Sequence, residues 1–530
     1  MATPEEPVAL REIGVPHDDG LEQGRKISWV HLPVTVHLDD DVGPLFESAP
    51  EAGHHRSGEA PVCPVPEELD PGGGGAGIDG PREIVRGAVV HDDDMIDEGG
   101  QTPKHRRERG ASEARHNHHH PMVFEHPRPT IDKRRAPGLL VLCSSLDLKV
   151  PFSATPAWWQ LLKGLHECGA SLHVTTYQGR VPETPWWTAH PNRTFLAGEV
   201  FTAARALARR LGRGVHAMPS RSQGRENVLD RSVRHLAHAF AAPRWLSHLS
   251  QILRANDGID AVLFVSVPPN HLRGVPGELR ARFRRPVLFY DGDVPASLPG
   301  HRGFDSGFRI YDGADLGEFD GVLSNSAGGS ESLVALGARR THTLYYAADP
   351  QVYVPFAIPR DIDVFFYGHS VEYRADSLRM MIGRPAEVLQ DARFAVRGHG
   401  LEGIGRAEIL PYLSFSRLRE YVSRSRINLV VTREAHATVH ASSTMRPFEL
   451  AMMGACIVSS PYAGIEEWFE PGTEIVVVGS AEEAIERYRH LLAHDGEREA
   501  LGAAARRRAL AEHTYARRAE QLLAIVREYF

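Results

Sequence analysis

The stretch RPFELAMMGACIVSS, residues 446–460, decides the fold class of this chain. Its first residues predict a helix that carries a charged pair, Arg446 and Glu449, near its start. Gly454 ends this helix, and a short run of apolar and β-branched residues follows at once. A helix, a glycine and an apolar strand in that order are typical of a parallel sheet that is covered on both faces.

The start of this predicted helix is a candidate phosphate site. A helix N-terminus presents unpaired backbone N–H groups and the positive end of the helix dipole. The carboxylate of Glu449, one turn into the helix, could accept hydrogen bonds from vicinal sugar hydroxyls. The alternative interpretation is a solvated Arg–Glu ion pair worth ~0.2–0.5 kcal/mol. Three hydroxyl side chains that could also contact a nucleoside diphosphate lie directly upstream: Ser442, Ser443 and Thr444.

The bulk composition is that of an ordinary globular protein. Of 530 residues, 42% are hydrophobic and 24% charged, and the formal net charge of −8 comes without a basic block interleaved with aromatics. This pattern argues against a nucleic-acid partner. The four cysteines show neither metal-ligand nor disulfide spacing, which favours a reducing cytoplasm.

Membrane insertion and export are not predicted. No apolar run reaches the ~18 residues that a transmembrane helix needs. The acidic N-terminus lacks the basic and then apolar pattern of a signal peptide. We therefore expect a cytoplasmic protein, with peripheral contact to a membrane left open.

Residues 1–136 differ in kind from the remainder of the chain. They are rich in His, Asp, Gly and Pro and show almost no apolar periodicity. Such a composition does not bury enough apolar surface to offset chain entropy, so we predict a disordered extension. The pattern changes just after Met122, and we consider Met122 as a hypothetical true start.

From Gly138 onward, apolar strands alternate with helices in two series. This alternation predicts two doubly wound, Rossmann-like domains, over residues 137–350 and 351–530. A Pro-bearing segment between Ala348 and Pro359 separates them. We also predict helices over 198–211 and over 226–254, the second broken near Pro243.

The loops after the strands hold the candidate site residues, because ligands of such sheets bind beyond the carboxyl ends of the strands. In the first domain, Asp291 or Asp293 could orient or deprotonate an acceptor hydroxyl, with His271 as a further base candidate. The alternative for both aspartates is a loop-capping role. In the second domain these loops contain Gly368, Arg374 and His440, and arginine suits a diphosphate because its planar fork matches phosphate oxygens.

Residues 137–530 resemble the group-1 glycosyltransferases, and most of all their CgeB-type spore maturation subgroup. The motifs that carry the resemblance are Asp363–Gly368 with Arg374, Tyr421–Leu429, Arg446–Glu449 with Gly454, Phe469–Glu474, and His513–Tyr515 with Arg518.

This resemblance implies a GT-B fold, in which two Rossmann-like domains face each other across a cleft. It also implies that the second domain binds a nucleotide sugar, that Glu449 contacts the ribose and that the first domain faces the acceptor. Many retaining members carry a second glutamate eight positions upstream of the Glu449 position, and here that residue is Ala441. The resemblance thus leaves the stereochemical course of transfer open.

We expect no bound metal and no cofactor other than the nucleoside-diphosphate sugar as co-substrate. The resemblance implies that arginines and helix N-termini stabilise the leaving diphosphate. Asp291-Gly292-Asp293 matches the Asp-x-Asp pattern of a metal site but lies in the acceptor-side domain. The leading hypothesis is a glycosyltransferase acting on a hydroxyl acceptor. The alternatives are a sugar-nucleotide epimerase or hydrolase of the same fold, and a non-catalytic coat or assembly protein.

Overall fold

A computed structural model describes residues 135–147, 155–192, 228–299, 310–368, 374–398, 401, 403–411 and 415–530. The predicted disordered extension, apart from its last two residues, lies outside the described residues. The predicted helix over 198–211 also lies outside them. The described residues form two parallel β-sheets with helices on their faces.

The first sheet contains seven parallel strands among the described residues. They are β1 (Gly138–Cys143), β2 (Ser171–Thr176), β3 (Thr188–Ala189), β4 (Ala261–Val265), β5 (Val287–Asp291), β6 (Gly321–Ser324) and β7 (Thr341–Thr343). Their spatial order is β3-β2-β1-β4-β5-β6-β7. The helices of this half are α1 (Thr155–Glu167), α2 (Val228–Ala255), α3 (Val275–Phe283) and α4 (Ser330–Ala335).

In the described part of the second half, the second sheet contains six parallel strands. They are β8 (Ile362–Tyr367), β9 (Phe394–Arg397), β10 (Glu408–Ile409), β11 (Ser425–Val430), β12 (Ile457–Ser459) and β13 (Val476–Val477), in the order β10-β9-β8-β11-β12-β13. The α-helices here are α5 (Ala375–Leu378), α6 (Arg384–Val388), α7 (Phe415–Arg424), α8 (Glu434–Thr438), α9 (Met445–Met452), α10 (Ala481–Ala493), α11 (Asp495–Glu512) and α12 (Tyr515–Arg527). A π-helical turn, Arg379–Gly383, joins α5 to α6.

The apolar character of β1 follows from burial of both faces of the first sheet. Leu139 and Val141 pack into one hydrophobic core, which also contains residues of α1. Leu140 and Leu142 point to the opposite face and pack into a second core with residues of α2 and α3. Successive strand side chains alternate between faces, so a strand covered on both sides is apolar at every position.

The prediction of a break near Pro243 is wrong, because α2 runs without interruption through this residue. Proline at position 243 removes the backbone hydrogen bond to the carbonyl of Ala239, four residues earlier. Trp245 and Leu249, which follow the proline, are buried in the core beneath the helix. We attribute the continuity of α2 to this packing, which outweighs the local cost.

The strand order reverses beside the first strand of each sheet, between β1 and β4 and between β8 and β11. Such reversal points are where open α/β sheets bind ligands, beyond the carboxyl ends of the strands. The chain end returns to the first half, since Arg518 Nε of α12 donates to the carbonyl of Tyr345 at 3.0 Å. Among the described residues, no helix is long and apolar enough to cross a membrane.

Candidate functional site

The carboxyl ends of the two sheets face each other, and loops from both sheets contact across the gap. Ser326 follows β6 of the first sheet, and its Oγ lies 2.6 Å from Oγ of Ser442 in the second half. Asn325 Nδ2 donates to the carbonyl of Ser443 at 2.7 Å. The two candidate ligand edges are therefore brought into one cleft between the domains.

Ser442 and Ser443, two predicted diphosphate ligands, are fully buried in this contact. The hydroxyl of Ser443 donates to the carbonyl of Asn325 at 3.0 Å and accepts from the backbone N–H of Tyr346 at 2.9 Å. Both serine hydroxyls are thus engaged within the protein in this conformation. Their contact with a diphosphate remains a prediction.

Ala441 occupies the position of the glutamate that many retaining members carry. It is fully buried, with a φ of 46° in the left-handed region. Its carbonyl accepts from the N–H of Ala327 at 3.1 Å, and its own N–H donates to Ala463 at 2.9 Å. A Cβ on Gly464 would clash with the backbone of Ala441, so this loop is packed tightly. Position 441 therefore serves the contact between domains.

The predicted charged pair is present at the start of α9. Arg446 Nε lies 3.4 Å from Oε2 of Glu449. Arg446 Nη1 also donates to the carbonyl of Tyr367 at 2.6 Å, and its guanidinium lies over the ring of that tyrosine. Because Tyr367 ends β8, this arrangement ties the N-terminus of α9 to the strand reversal point of the second sheet.

Glu449 lies below the surface, with 5% of its area exposed. Its Oε1 accepts from the hydroxyl of Tyr353 at 2.6 Å, and its Oε2 accepts from the hydroxyl of Tyr367 at 3.1 Å. Burial raises the pKa of both phenols well above the usual value, so both remain donors at neutral pH. The solvated ion pair considered from the sequence is therefore wrong for Glu449, which is a buried and oriented carboxylate.

The other predicted donor-side residues differ in their surroundings. Gly368 directly follows β8, and its N–H donates to Arg397 at 2.9 Å. Arg374 is half-buried and precedes α5. Thr444 is the N-cap residue of α9, with no hydrogen bond from its side chain to the helix. The side chain of His440 is 56% exposed, and its Nε2 lies 3.5 Å from Oε1 of Glu467.

On the first-domain side, Asp291 ends β5 and is 1% exposed. Its Oδ2 accepts from the hydroxyls of Ser297 and Tyr311, each at 2.5 Å, and its Oδ1 accepts from the N–H of Asp293 at 2.9 Å. Burial raises the pKa of Asp291 above its usual value. Asp291 therefore holds its own loop in place. Its role toward an acceptor stays a prediction.

His271 is buried at the end of a short turn of 3-10 helix after β4. Its Nδ1 lies 2.9 Å from the hydroxyl of Tyr177, which follows β2. Burial raises the pKa of this phenol, so it remains protonated. Tyr177 thereby fixes the orientation of the imidazole, and the role of His271 as a base remains a prediction.

Asp293 reaches across the cleft and forms an ion pair with Arg433, which lies just after β11. Nε2 of the fully buried His436 lies 3.3 Å from Arg433 Nη2 and 3.8 Å from Asp293 Oδ1. The sequence reasoning did not identify Arg433 or His436 as site residues. Arg433 is a charged residue in the loop that follows β11, and this position beyond the carboxyl end of a strand is the signal that could have identified it.

Metal ligation was considered for Asp291-Gly292-Asp293. In the part of the chain that the structure describes, no group of three or more His, Cys, Asp or Glu side chains is placed to hold a metal ion.

Two parallel, doubly wound sheets that face each other with their carboxyl edges define the GT-B fold. A solved structure with this arrangement, sucrose-phosphate synthase from Thermosynechococcus elongatus, is 13% identical, and the match covers 74% of this chain and 98% of that one with a TM-score of 0.51. The solved structure of Anabaena HepE in complex with UDP is 12% identical, and the match covers 74% of this chain and 100% of that one with a TM-score of 0.47. At this identity, the likeness to sucrose-phosphate synthase supports the fold alone.

Residues 379–524 match the family model described as "Glycosyl transferase-like". The matched segment includes α9 with Arg446 and Glu449, and also Arg433. No curated protein sequence matches the chain. The second half of this GT-B protein is therefore similar to glycosyltransferases over most of its length.

Proposed function

We propose that the protein transfers a sugar from a nucleoside-diphosphate donor to a hydroxyl acceptor. The observation that carries this proposal is the start of α9, where Arg446 and a buried, oriented Glu449 lie beside the end of β8. A cation and a helix N-terminus suit the diphosphate, and a fixed carboxylate suits vicinal ribose hydroxyls. The match of this segment to a glycosyl transferase-like family supports the same reading.

In this proposal Arg374 and Arg446 stabilise the leaving diphosphate without a metal, and the first domain presents the acceptor. Closure of the cleft around the donor would limit its hydrolysis by water. The CgeB-like subgroup is part of the proposal on the motifs that resemble it. The cytoplasmic location stays a prediction from cysteine usage.

A thermal-shift screen of the full chain against UDP, GDP, dTDP and CDP, with Mg²⁺ or with EDTA, tests this function. A ligand that binds the folded state raises the unfolding midpoint by mass action. We expect one diphosphate to raise it equally with and without magnesium. A shift that requires magnesium would contradict metal independence, and no shift with any of the four would favour the non-catalytic alternative.

Analysis of products distinguishes transfer from the sugar-nucleotide epimerase or hydrolase reaction. The donor identified by the screen is incubated with the enzyme in the absence of any acceptor. Transfer predicts that the donor persists, apart from slow hydrolysis. Rapid conversion to an isomer or to free sugar would support the alternative enzyme class.

A further inference from the structure

Arg433 is a cation at the reversal point of the second sheet that is held by a carboxylate of the first domain. It lies three residues after the end of β11, the strand that neighbours β8 at this point. Its Nη2 contacts Oδ1 of Asp293, and its Nη1 lies 3.4 Å from Oδ2. Both terminal nitrogens of Arg433 therefore face the carboxylate, one opposite each oxygen. This is the bidentate geometry that guanidinium forms with carboxylate and with phosphate alike.

The surroundings of Arg433 explain why it needs an anion. The residue is 8% exposed, and a guanidinium removed from water to this extent is costly unless it is paired. Nε2 of His436, fully buried beside it, lies 3.3 Å from Arg433 Nη2 and accepts from it, because a guanidinium has donors alone. The site is thus built for negative charge, and in this conformation the anion comes from the opposite domain.

This contact differs from its neighbours across the cleft. The Ser326–Ser442 and Asn325–Ser443 contacts are neutral, and all four residues are fully buried. The Asp293 and Arg433 side chains keep 15% and 10% of their area exposed. A ligand that enters the cleft can therefore compete for Arg433.

We propose that Arg433 binds the diphosphate of the donor, and that Asp293 occupies this cation until the donor displaces it. The inference rests on the proposed function, because it names a further ligand of the same donor site. A diphosphate carries more negative charge than one carboxylate and presents the same fork of oxygens, so it can replace Asp293. Donor binding then releases the Asp293 carboxylate on the acceptor side of the cleft.

The proposal predicts opposite effects for the two partners of the ion pair. Calorimetry on the full chain would measure binding of the nucleoside diphosphate found by the screen and of inorganic pyrophosphate. We expect Asp293→Asn, which removes the competing charge, to tighten binding about tenfold, and Arg433→Gln to weaken it at least about tenfold. The double variant should bind as weakly as Arg433→Gln alone, because the competitor matters only while the cation is present.

Asp320→Asn is a matched control. Asp320 pairs with Arg280 at 3.3 Å within the first domain, and its replacement should leave affinity within about twofold of the wild type. Arg433→Lys, which keeps the charge but loses the fork, is a second variant in case the glutamine variant does not fold, and we expect an intermediate loss. Circular dichroism and the unfolding midpoint establish that each variant is folded.

The outcomes separate this inference from the function on which it rests. If both single variants weaken binding, the pair is a structural clasp between domains and the inference is wrong. If Arg433→Gln leaves affinity unchanged, Arg433 lies outside the donor site and the inference is again wrong. If the wild type binds no nucleoside diphosphate, the proposed function itself fails and the inference fails with it.

Discussion

The hydroxyl of Tyr353 donates to Oε1 of Glu449 at 2.6 Å, and this bond joins the segment between the two domains to the helix that carries the proposed donor site. Tyr353 follows the last strand of the first sheet and precedes the first strand of the second. Both side chains are buried. The position of the carboxylate thus depends on a residue that belongs to neither sheet.

Replacement of Tyr353 by phenylalanine tests this dependence. Loss of one charge-assisted bond to a buried carboxylate should lower the free energy of unfolding by ~1.5–3 kcal/mol and should weaken donor binding about three- to tenfold. Urea unfolding and calorimetry measure the two effects. Tyr488→Phe is the control, because its buried hydroxyl donates to the carbonyl of Met381 at 3.0 Å, away from α9. Equal loss of affinity in both variants would refute a positioning role.

Replacement of Glu449 by alanine should weaken donor binding by ~1.5–3 kcal/mol, since a charge-assisted bond to the ribose is lost. Glu449→Gln keeps an acceptor for one of the two phenols, so it separates loss of charge from loss of packing. Calorimetric titration with the nucleoside diphosphate provides the measurement. An unchanged affinity in folded Glu449→Ala protein would contradict the assignment of Glu449 to the ribose.

Lys163 and Asp349 form a buried ion pair between α1 and the segment that follows the first sheet. Nζ lies 2.6 Å from Oδ2, and the two side chains are 7% and 8% exposed. Lys163→Met leaves the carboxylate buried without its cation, and we expect the free energy of unfolding to fall by ~3–5 kcal/mol. Arg282→Met breaks a half-exposed pair with Glu278 and should cost less than ~1 kcal/mol. Similar unfolding midpoints for the two variants would show that burial is not decisive here.

His513 predicts a specific dependence of stability on pH. Burial, with the Arg518 charge beside it, lowers the pKa of this imidazole to about 3. In the unfolded chain the pKa of this imidazole is ~6.5. Between that pH and the folded value, the unfolded state binds one more proton than the folded state. The free energy of unfolding therefore falls as the pH falls through this window.

His513→Gln should remove about 2 kcal/mol of the difference in unfolding free energy between pH 7 and pH 5. The amide can replace the two bonds of the ring, which accepts from Arg518 at 2.9 Å and lies 3.1 Å from the carbonyl of Trp468. Urea unfolding at both pH values tests this. An identical pH dependence in wild type and variant would mean that the folded imidazole titrates normally.

Gly292 separates the two cleft aspartates and leaves no room for a side chain. A Cβ would lie 2.6 Å from the hydroxyl of Tyr346 and would clash with the ring of Trp158. We expect Gly292→Ala to lower the free energy of unfolding by ~1–3 kcal/mol through overpacking. Gly496 lies in a helix, and a Cβ added there would meet no atom within 4 Å. We expect Gly496→Ala to be neutral or stabilising by up to ~1 kcal/mol. If Gly292→Ala is as stable as Gly496→Ala, the loop adapts to the added methyl group and the expectation is wrong.

Local signals in the sequence were sufficient for most elements of the fold. The two series of strands and helices predicted from Gly138 onward are present, and Gly321–Ser324, Phe394–Arg397 and Ala481–Ala493 are among their members, because apolar spacing reports burial directly. Strands β3 and β10, of two residues each, were not predicted, since neither lies in an apolar run of the sequence. The helix over 226–254 was predicted, but its continuity through Pro243 was not, because packing against the sheet outweighs the local penalty of proline.

The sequence alone determined two doubly wound domains and the candidate pair Arg446 and Glu449, because the helix that carries both residues is a local structure. Only the tertiary structure decided that Glu449 is buried between two tyrosines and that Asp293 pairs with Arg433. These partners lie far apart in the chain, and periodicity carries no information on which loops meet when two sheets face each other. Contacts across the cleft depend on the relative placement of the domains, which is a property of the folded chain as a whole.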